Sequence, residues 1–353
     1  MEKTNSYKKK FTELAISSGY SEEYIEKCLK YSEPLLNKNL PVIYSINHLS
    51  ALVGYSQSYL TRSMISTSFF YRHFKIKKRN GNLRSISEPL PSLKEIQNFI
   101  LKEILYTQKV SKYCKSYIPK KSIIEYLKYH VNEKEILTLD LQDFFPSIKF
   151  ELIKNFFLQL GYSDEVSYYL STLTTYCDKQ EKFDDSQRYL PQGASTSPYL
   201  SNLILKDFDN NIGKFCNNKI KYTRYADDLA FSGDKIPSED IIDFVNKELE
   251  KLGLKLNPKK VNFMKQNIPQ IISGVVVNNK MQLPKQQRNE IRQKMYFINR
   301  FGIESHLERI QEKRENYIPH LLGRIQYGLN LNPDDLELKK YKKDLQEIYN
   351  KVK

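Results

Sequence analysis

The sequence predicts an α+β chain, on three observations. Helical apolar spacing fills the first 68 residues and returns after Pro284. Short β-patterned runs lie between these segments, several of them joined by turns. No internal repeat or low-complexity linker divides the chain. At 353 residues this is one cooperative unit with lobes.

Residues 1–68 read as short helices. Ser21-Glu22-Glu23 has the form of an N-cap with acids in the first turn, leading into Tyr24, Ile25, Cys28 and Leu29, and Ser45 to Leu60 is similar. Next, Phe74 to Ile86 holds two alternating runs around Asn80-Gly81, the strongest two-residue hairpin signal. It carries Arg72, Lys75, Lys77, Lys78, Arg79 and Arg84 with no acid before Glu88, so it reads as a cationic arm or a solvated ribbon. A helix follows from Leu93 to Gln108, with apolar residues at 93, 96, 99, 100 and 104.

Ile136 to Leu141 is an apolar strand ending at Asp140. A turn at Asp143-Phe-Phe-Pro-Ser147 precedes a helix from Phe150 to Leu160, stopped by Gly161. Leu190 to Pro198 is a loop opening a helix from Pro198 to Ile212. Lys221 to Ser232 reads as two strands meeting at Asp227-Asp228, and a helix from Ser238 to Leu252 stops at Gly253. Leu254 to Lys260 and Ile271 to Asn279 look like further strands. From Pro284 the chain is helical and basic, with a turn at Asn330 to Asp335.

Hydrophobic residues make up 40% and charged residues 27%, and mean hydropathy is −0.59, which fits a soluble globular protein rather than disorder or a membrane bundle. No apolar run approaches the roughly 20 residues that span a bilayer, and Met1 to Asn5 has no secretory pattern, so a cytoplasmic location is expected. Cys28, Cys114, Cys177 and Cys216 show no zinc or disulfide spacing. Lys and Arg total 56 against 41 acids, a net charge of +15. That excess favours a polyanion such as nucleic acid, although an AT-rich coding bias would produce it too.

Three acids carry the chemistry. Asp140 at the end of an apolar strand and the adjacent Asp227-Asp228 at a hairpin tip are unfavourable unless something neutralises them. Hard oxygen ligands without nearby His or Cys select Mg²⁺, and two such ions could activate a 3′-hydroxyl and stabilise a leaving pyrophosphate. The five histidines show no ligand spacing.

Leu139-Asp140-Leu-Gln-Asp-Phe-Phe-Pro-Ser-Ile148, Leu190-Pro-Gln-Gly-Ala-Ser-Thr-Ser-Pro198 and Tyr225-Ala-Asp-Asp228 resemble, in order and spacing, the motifs of bacterial reverse transcriptases. The resemblance spans residues 70–330. It implies a right-hand polymerase: a helical extension at 1–68, fingers at 69–135, a palm with an antiparallel sheet at 136–280 (with a fingers insert around 161–195) and a helical thumb at 281–353. It implies a metal-binding triad of Asp140, Asp227 and Asp228, helped by the Leu141 carbonyl. Phe145 resembles the gate that rejects a 2′-hydroxyl, and Gln192 and Gly193 the loop approaching the nucleotide. Arg84 with Lys77 or Lys78 resembles the triphosphate grip. Lys260 resembles the lysine that protonates pyrophosphate, with a solvated strand-end lysine as the alternative. Tyr225 and the segment around Gly274, which resembles the primer grip, together with Lys285, Arg288 and Arg292 of the thumb, are expected to contact nucleic acid. Asp143 is kept out of the triad as a residue that caps the turn.

Length and the lack of a nuclease-like tail make the chain similar to retron reverse transcriptases. That class implies a structured non-coding RNA template, dNTPs, 2′-hydroxyl priming, a branched RNA–DNA product and an anti-phage role with an effector protein. Tyr126-Leu-Lys-Tyr-His130 keeps only the histidine of the class's Asn-Ala-x-x-His motif. Ile272-Ser-Gly274 stands where the class has Val-Thr-Gly. Another defence-associated or intron-like reverse transcriptase, an RNA-synthesising polymerase, or a non-catalytic RNA-binding scaffold are the alternatives.

Overall fold

The computed structural model describes residues 2–77, 81, 83–177 and 184–352. Its contacts divide the chain into two units, each drawn from three segments. The first comprises residues 1–120, 141–215 and 241–257, the second residues 121–140, 216–240 and 258–353.

The first unit begins with helices Glu2–Ser17, Glu22–Asn37, Ile46–Val53 and Gln57–Ile65. The Ser21, Ser45 and Ser56 hydroxyls cap the last three by accepting backbone N–H bonds. β1 (Tyr71–Lys77) and β2 (Leu83–Pro89) form the expected antiparallel hairpin; Lys78, Arg79, Asn80 and Asn82 lie outside the described residues. The helix expected over 93–108 is α-helical only from Pro91 to Phe99, and continues as a π turn (Ile100–Ile104) and a 3-10 turn (Leu105–Thr107). Leu93, Ile96, Ile100 and Ile104 are buried all the same. Phe150–Leu160 ends at Gly161, whose φ of +111° suits glycine. Asp164–Thr174 follows, and the helix expected at 198–212 is two, Ser197–Ile204 and Lys206–Cys216.

The second unit is built on a four-stranded antiparallel sheet in the order β4 (Lys221–Tyr225), β5 (Asp228–Gly233), β3 (Glu135–Asp140), β6 (Asn262–Lys265). Two sequence expectations change here. The run from Leu254 to Lys260 is not a strand: Leu256 makes one bridge, and Pro258, which has no N–H to give a ladder, starts a 3-10 turn. Ile271 to Asn279 is not one strand but a hairpin of β7 (Ile271–Ile272) and β8 (Val275–Val276). It turns at Ser273 (φ +46°) and Gly274 (φ +80°), as a mirror-type two-residue turn requires.

Helices Lys285–Phe301, Ile303–Arg309, Tyr317–Leu331 and Leu336–Val352 complete this unit. Ile291, Met295, Ile298, Leu321 and Ile325 share one apolar cluster with Ile136, Ala230, Met264, Ile272 and Val275, so sheet and C-terminal helices have a common core. No helix among the described residues is long and apolar enough to cross a membrane.

Candidate active site

The sheet brings two of the predicted acids side by side. Asp140 ends β3 and Asp228 begins β5, and the two are direct partners in the antiparallel register. Directly opposed residues share a face with Cβ atoms about 4.5–5.5 Å apart, a destabilising arrangement for like charges. Asp227 lies in the tight turn between Tyr225 and Asp228, which are themselves paired. The turn falls at Ala226-Asp227, one residue earlier than expected. Ala226 takes a φ of +57°, and the wholly buried Arg224 donates to its carbonyl at 3.0 Å. A non-glycine residue in this region is strained and is held by its surroundings.

The electrostatics follow from this crowding. Burial, then the Asp227 and Asp140 charges, push the Asp228 carboxyl up to about 6, against the pull of a hydrogen bond from Ser273 and the Lys260 charge. Ser273 Oγ donates to Asp228 Oδ2 at 2.6 Å, and Lys260 Nζ lies 2.7 Å from Asp140 Oδ2. Burial by itself would lower the Lys260 ammonium. The Asp140 hydrogen bond and the charges of all three aspartates outweigh it and hold Lys260 above its ordinary value. Tyr126, Thr138, Asn262 and Ser273 line, with Asp140, Asp228 and Lys260, a cavity of about 180 Å³. The Tyr126 hydroxyl is buried there without a hydrogen-bond partner, and burial followed by the Asp228 charge keeps the phenol well above its usual range.

Among the described residues, no three His, Cys, Asp or Glu side chains form a ready metal-ligand cluster. The donor set nevertheless suits a hard divalent cation. It is all carboxylate oxygen, two of its members are opposed in register, and one is pushed toward neutrality by burial and then by the others' charge, a strain that a bound cation relieves.

Behind the acids, His130 is wholly buried between two strands, with Nδ1 2.7 Å from Ser232 Oγ on β5 and Nε2 2.6 Å from Thr223 Oγ1 on β4. It braces the strands that carry the Asp227-Asp228 turn. The Tyr225 ring packs 5.5 Å from that of Tyr126.

The other predicted residues are placed as follows. Leu141 belongs to the first unit, where it bridges Leu256. Phe145, half-buried in the short helix Phe144–Ser147, packs 6.4 Å from the Tyr117 ring. Asp143 makes no side-chain cap there; it adopts a left-handed conformation (φ +44°), and its carbonyl accepts the Ser147 N–H. Arg84 pairs with Ile76 and Lys77 with Leu83, so these two cations lie on opposite faces of the hairpin, and Arg72 rather than Lys77 shares the Arg84 face. Lys78 lies outside the described residues. Gly193 has a φ of +132°, and a Cβ there would fall 2.7 Å from the Ser87 carbonyl oxygen, so its close backbone approach is to β2. Gly274 is the second turn residue of β7–β8.

Lys285 is exposed, but Arg288 and Arg292 are engaged. Arg288 pairs with Asp335 and Glu337 at 2.9 Å, and Arg292 with Glu337 at 2.7 Å. Sequence reading missed Tyr126 as a site residue and the tie from Ser273 to Asp228. The retained hydroxyl before Gly274 was the one available signal.

A family profile described as "Reverse transcriptase (RNA-dependent DNA polymerase)" matches residues 76–291. The chain is similar to the Retron Mx65 reverse transcriptase of Myxococcus xanthus, 29% identical over 317 residues covering 86% of this chain and 72% of that protein. It is also similar to the Retron Ec86 reverse transcriptase of Escherichia coli, 29% identical over 269 residues covering 75% and 81%. The solved telomerase of Candida albicans aligns with a TM-score of 0.44 at 13% identity, covering 78% of this chain and 57% of that one.

Proposed function

The chain belongs to the reverse transcriptase family of right-hand, RNA-directed DNA polymerases, and from that premise we propose that it copies part of a structured non-coding RNA into DNA in the retron manner. The likeness to proteins named retron reverse transcriptases supports the class. In this reading, synthesis begins from a 2′-hydroxyl of the RNA and leaves a branched RNA–DNA product. The protein acts in the bacterial cytoplasm in anti-phage defence beside an effector protein. Residues 1–68 are an extension, 69–135 the fingers, 136–280 the palm and 281–353 the thumb.

One observation carries the chemistry: Asp140 and Asp228 stand opposite one another at a sheet end, with Asp227 in the adjoining turn. Asp140, Asp227, Asp228 and the Leu141 carbonyl would hold two Mg²⁺ ions, which supply Lewis acidity to a phosphoryl transfer. Ser273 orients Asp228 through its 2.6 Å hydrogen bond. Lys260, kept protonated by its acidic neighbours, holds a proton for the departing pyrophosphate. Arg84 with Lys77 or Lys78 binds the dNTP triphosphate by charge, Gln192 and Gly193 form the loop beside the nucleotide, and Phe145 excludes a 2′-hydroxyl. Tyr225, Gly274 and Lys285 contact the nucleic acid. Arg288 and Arg292 do so through the ion-paired face they share with Glu337.

The test is primer extension on a primed RNA template with Mg²⁺ and dNTPs. Wild type should extend and Asp227→Asn should not; an active Asp227→Asn protein would falsify the triad. Nucleic acid purified with the protein should contain DNA joined to RNA through a bond that survives denaturant and yields to debranching. Unbranched DNA alone would remove the retron assignment.

A further inference from the structure

In the first unit the hairpin and the Gln192-Gly193 loop close into a ring of contacts. We propose that His73 and Tyr176 are positioning residues for nucleotide binding, an inference that rests on the polymerase reading above. β1 and β2 are exposed over most of their length, with only Tyr71 and Pro89 buried. A two-stranded ribbon without a core of its own is marginal, so where it sits depends on its braces.

β2 meets the loop at Ser87, whose N–H donates to the Gln192 carbonyl at 2.8 Å. At the next loop residue, a Cβ on Gly193 would lie 2.7 Å from the Ser87 oxygen and 3.0 Å from Ile86 Cγ2. The seat therefore requires glycine and admits one arrangement. Across the hairpin, Ser87 pairs with His73, and His73 Nδ1 lies 3.2 Å from Ser87 Oγ. The other ring nitrogen, Nε2, lies 3.2 Å from Tyr176 Oη, with ring centroids 5.1 Å apart. Both partners are hydroxyls, which give or accept, so a neutral imidazole with one donor and one acceptor nitrogen satisfies both contacts.

Tyr176 exchanges backbone hydrogen bonds with Tyr189 at 2.9 and 3.0 Å, and Tyr189 leads directly into the loop. The circuit thus runs from Ser87 through His73, Tyr176 and Tyr189 to Gln192 and back to Ser87. A second tie reinforces it: Tyr71 packs 5.1 Å from Tyr176, and its hydroxyl accepts from Gln97 Nε2 at 2.9 Å. Arg84 lies on the strand this circuit seats, so opening the His73 link leaves the relation of Arg84 to Gln192 to the Ser87 N–H bond and the Gly193 contact alone and loosens it.

Steady-state extension by the full chain, varying dNTP and primer–template separately, tests this alongside hydrogen–deuterium exchange of β1 and β2. His73→Ala and Tyr176→Phe should raise the KM for dNTP about fivefold to tenfold, the loss of one net hydrogen bond, with faster exchange in β2. The primer–template KM should stay within about twofold, and His73→Gln, which keeps a donor and an acceptor, should restore most of the dNTP affinity. A fall in kcat and melting temperature at constant dNTP KM would make the circuit a structural brace and overturn the proposal. Faster exchange with unchanged dNTP KM would overturn it too. A wild-type protein that makes no DNA would instead bring down the polymerase reading, and this inference with it.

Discussion

Acidification should weaken the second unit through His130. Burial, reinforced by the Lys221 charge, lowers this imidazole from 6.5 to about 3, and its two nitrogens are engaged by Ser232 and Thr223. An unfolded chain protonates the ring below about 6.5 while the folded protein keeps it neutral, so stability is fully present above that value and is lost as pH falls from 6.5 toward 3. At pH 5.5 the loss is RT ln 11, about 1.4 kcal/mol, and it grows toward about 5 kcal/mol below both values. Asp228 works in the opposite sense: a carboxyl raised to about 6 binds its proton more tightly in the folded state. The assay therefore compares two proteins. Urea unfolding of wild type and His130→Gln at pH 7.5 and 5.5 should show wild type losing about 1.4 kcal/mol more than the variant. Parallel pH dependences would mean that His130 titrates normally and that its burial between β4 and β5 is wrong.

Ser273 is strained (φ +46°) yet bonded to Asp228. Both Ser273→Ala and Ser273→Gly should lower primer extension about tenfold, while the glycine variant melts as the more stable of the two by about 1 kcal/mol. Gly213→Ala, in the helix Lys206–Cys216, would ordinarily add helix propensity, but its Cβ would lie 2.1 Å from the Tyr113 ring. A net destabilisation of about 1–3 kcal/mol is expected in urea unfolding, and a rise in midpoint would contradict the packing. Phe145→Val should raise rNTP incorporation relative to dNTP about tenfold in single-nucleotide extension, and an unaltered ratio would remove its gating role.

Features that depend on a few adjacent residues were legible from the sequence. Ser21 caps its helix, the alternating runs ending at Lys77 and starting at Leu83 pair as β1 and β2, Gly161 stops its helix, and Asp140 ends its strand. Where the reading of a strand erred, one or two residues changed the local path. Pro258 converted an apparent strand into a turn, and Ser273-Gly274 folded another back on itself.

By itself the sequence singled out the three acids proposed to carry the chemistry and determined the family to which the chain belongs, because motif identity and short-range backbone preference reside in contiguous residues. The tertiary structure decided their company. It set Asp140 opposite Asp228, Lys260 on Asp140, Ser273 on Asp228, and Arg288 and Arg292 against Glu337. It also decided that Gly193 yields to Ser87 and that Arg84 and Lys77 face apart. Those partners lie far apart along the chain, and strand order, register and burial, which arise only when the core assembles, select among the many pairings that local patterning leaves equally good.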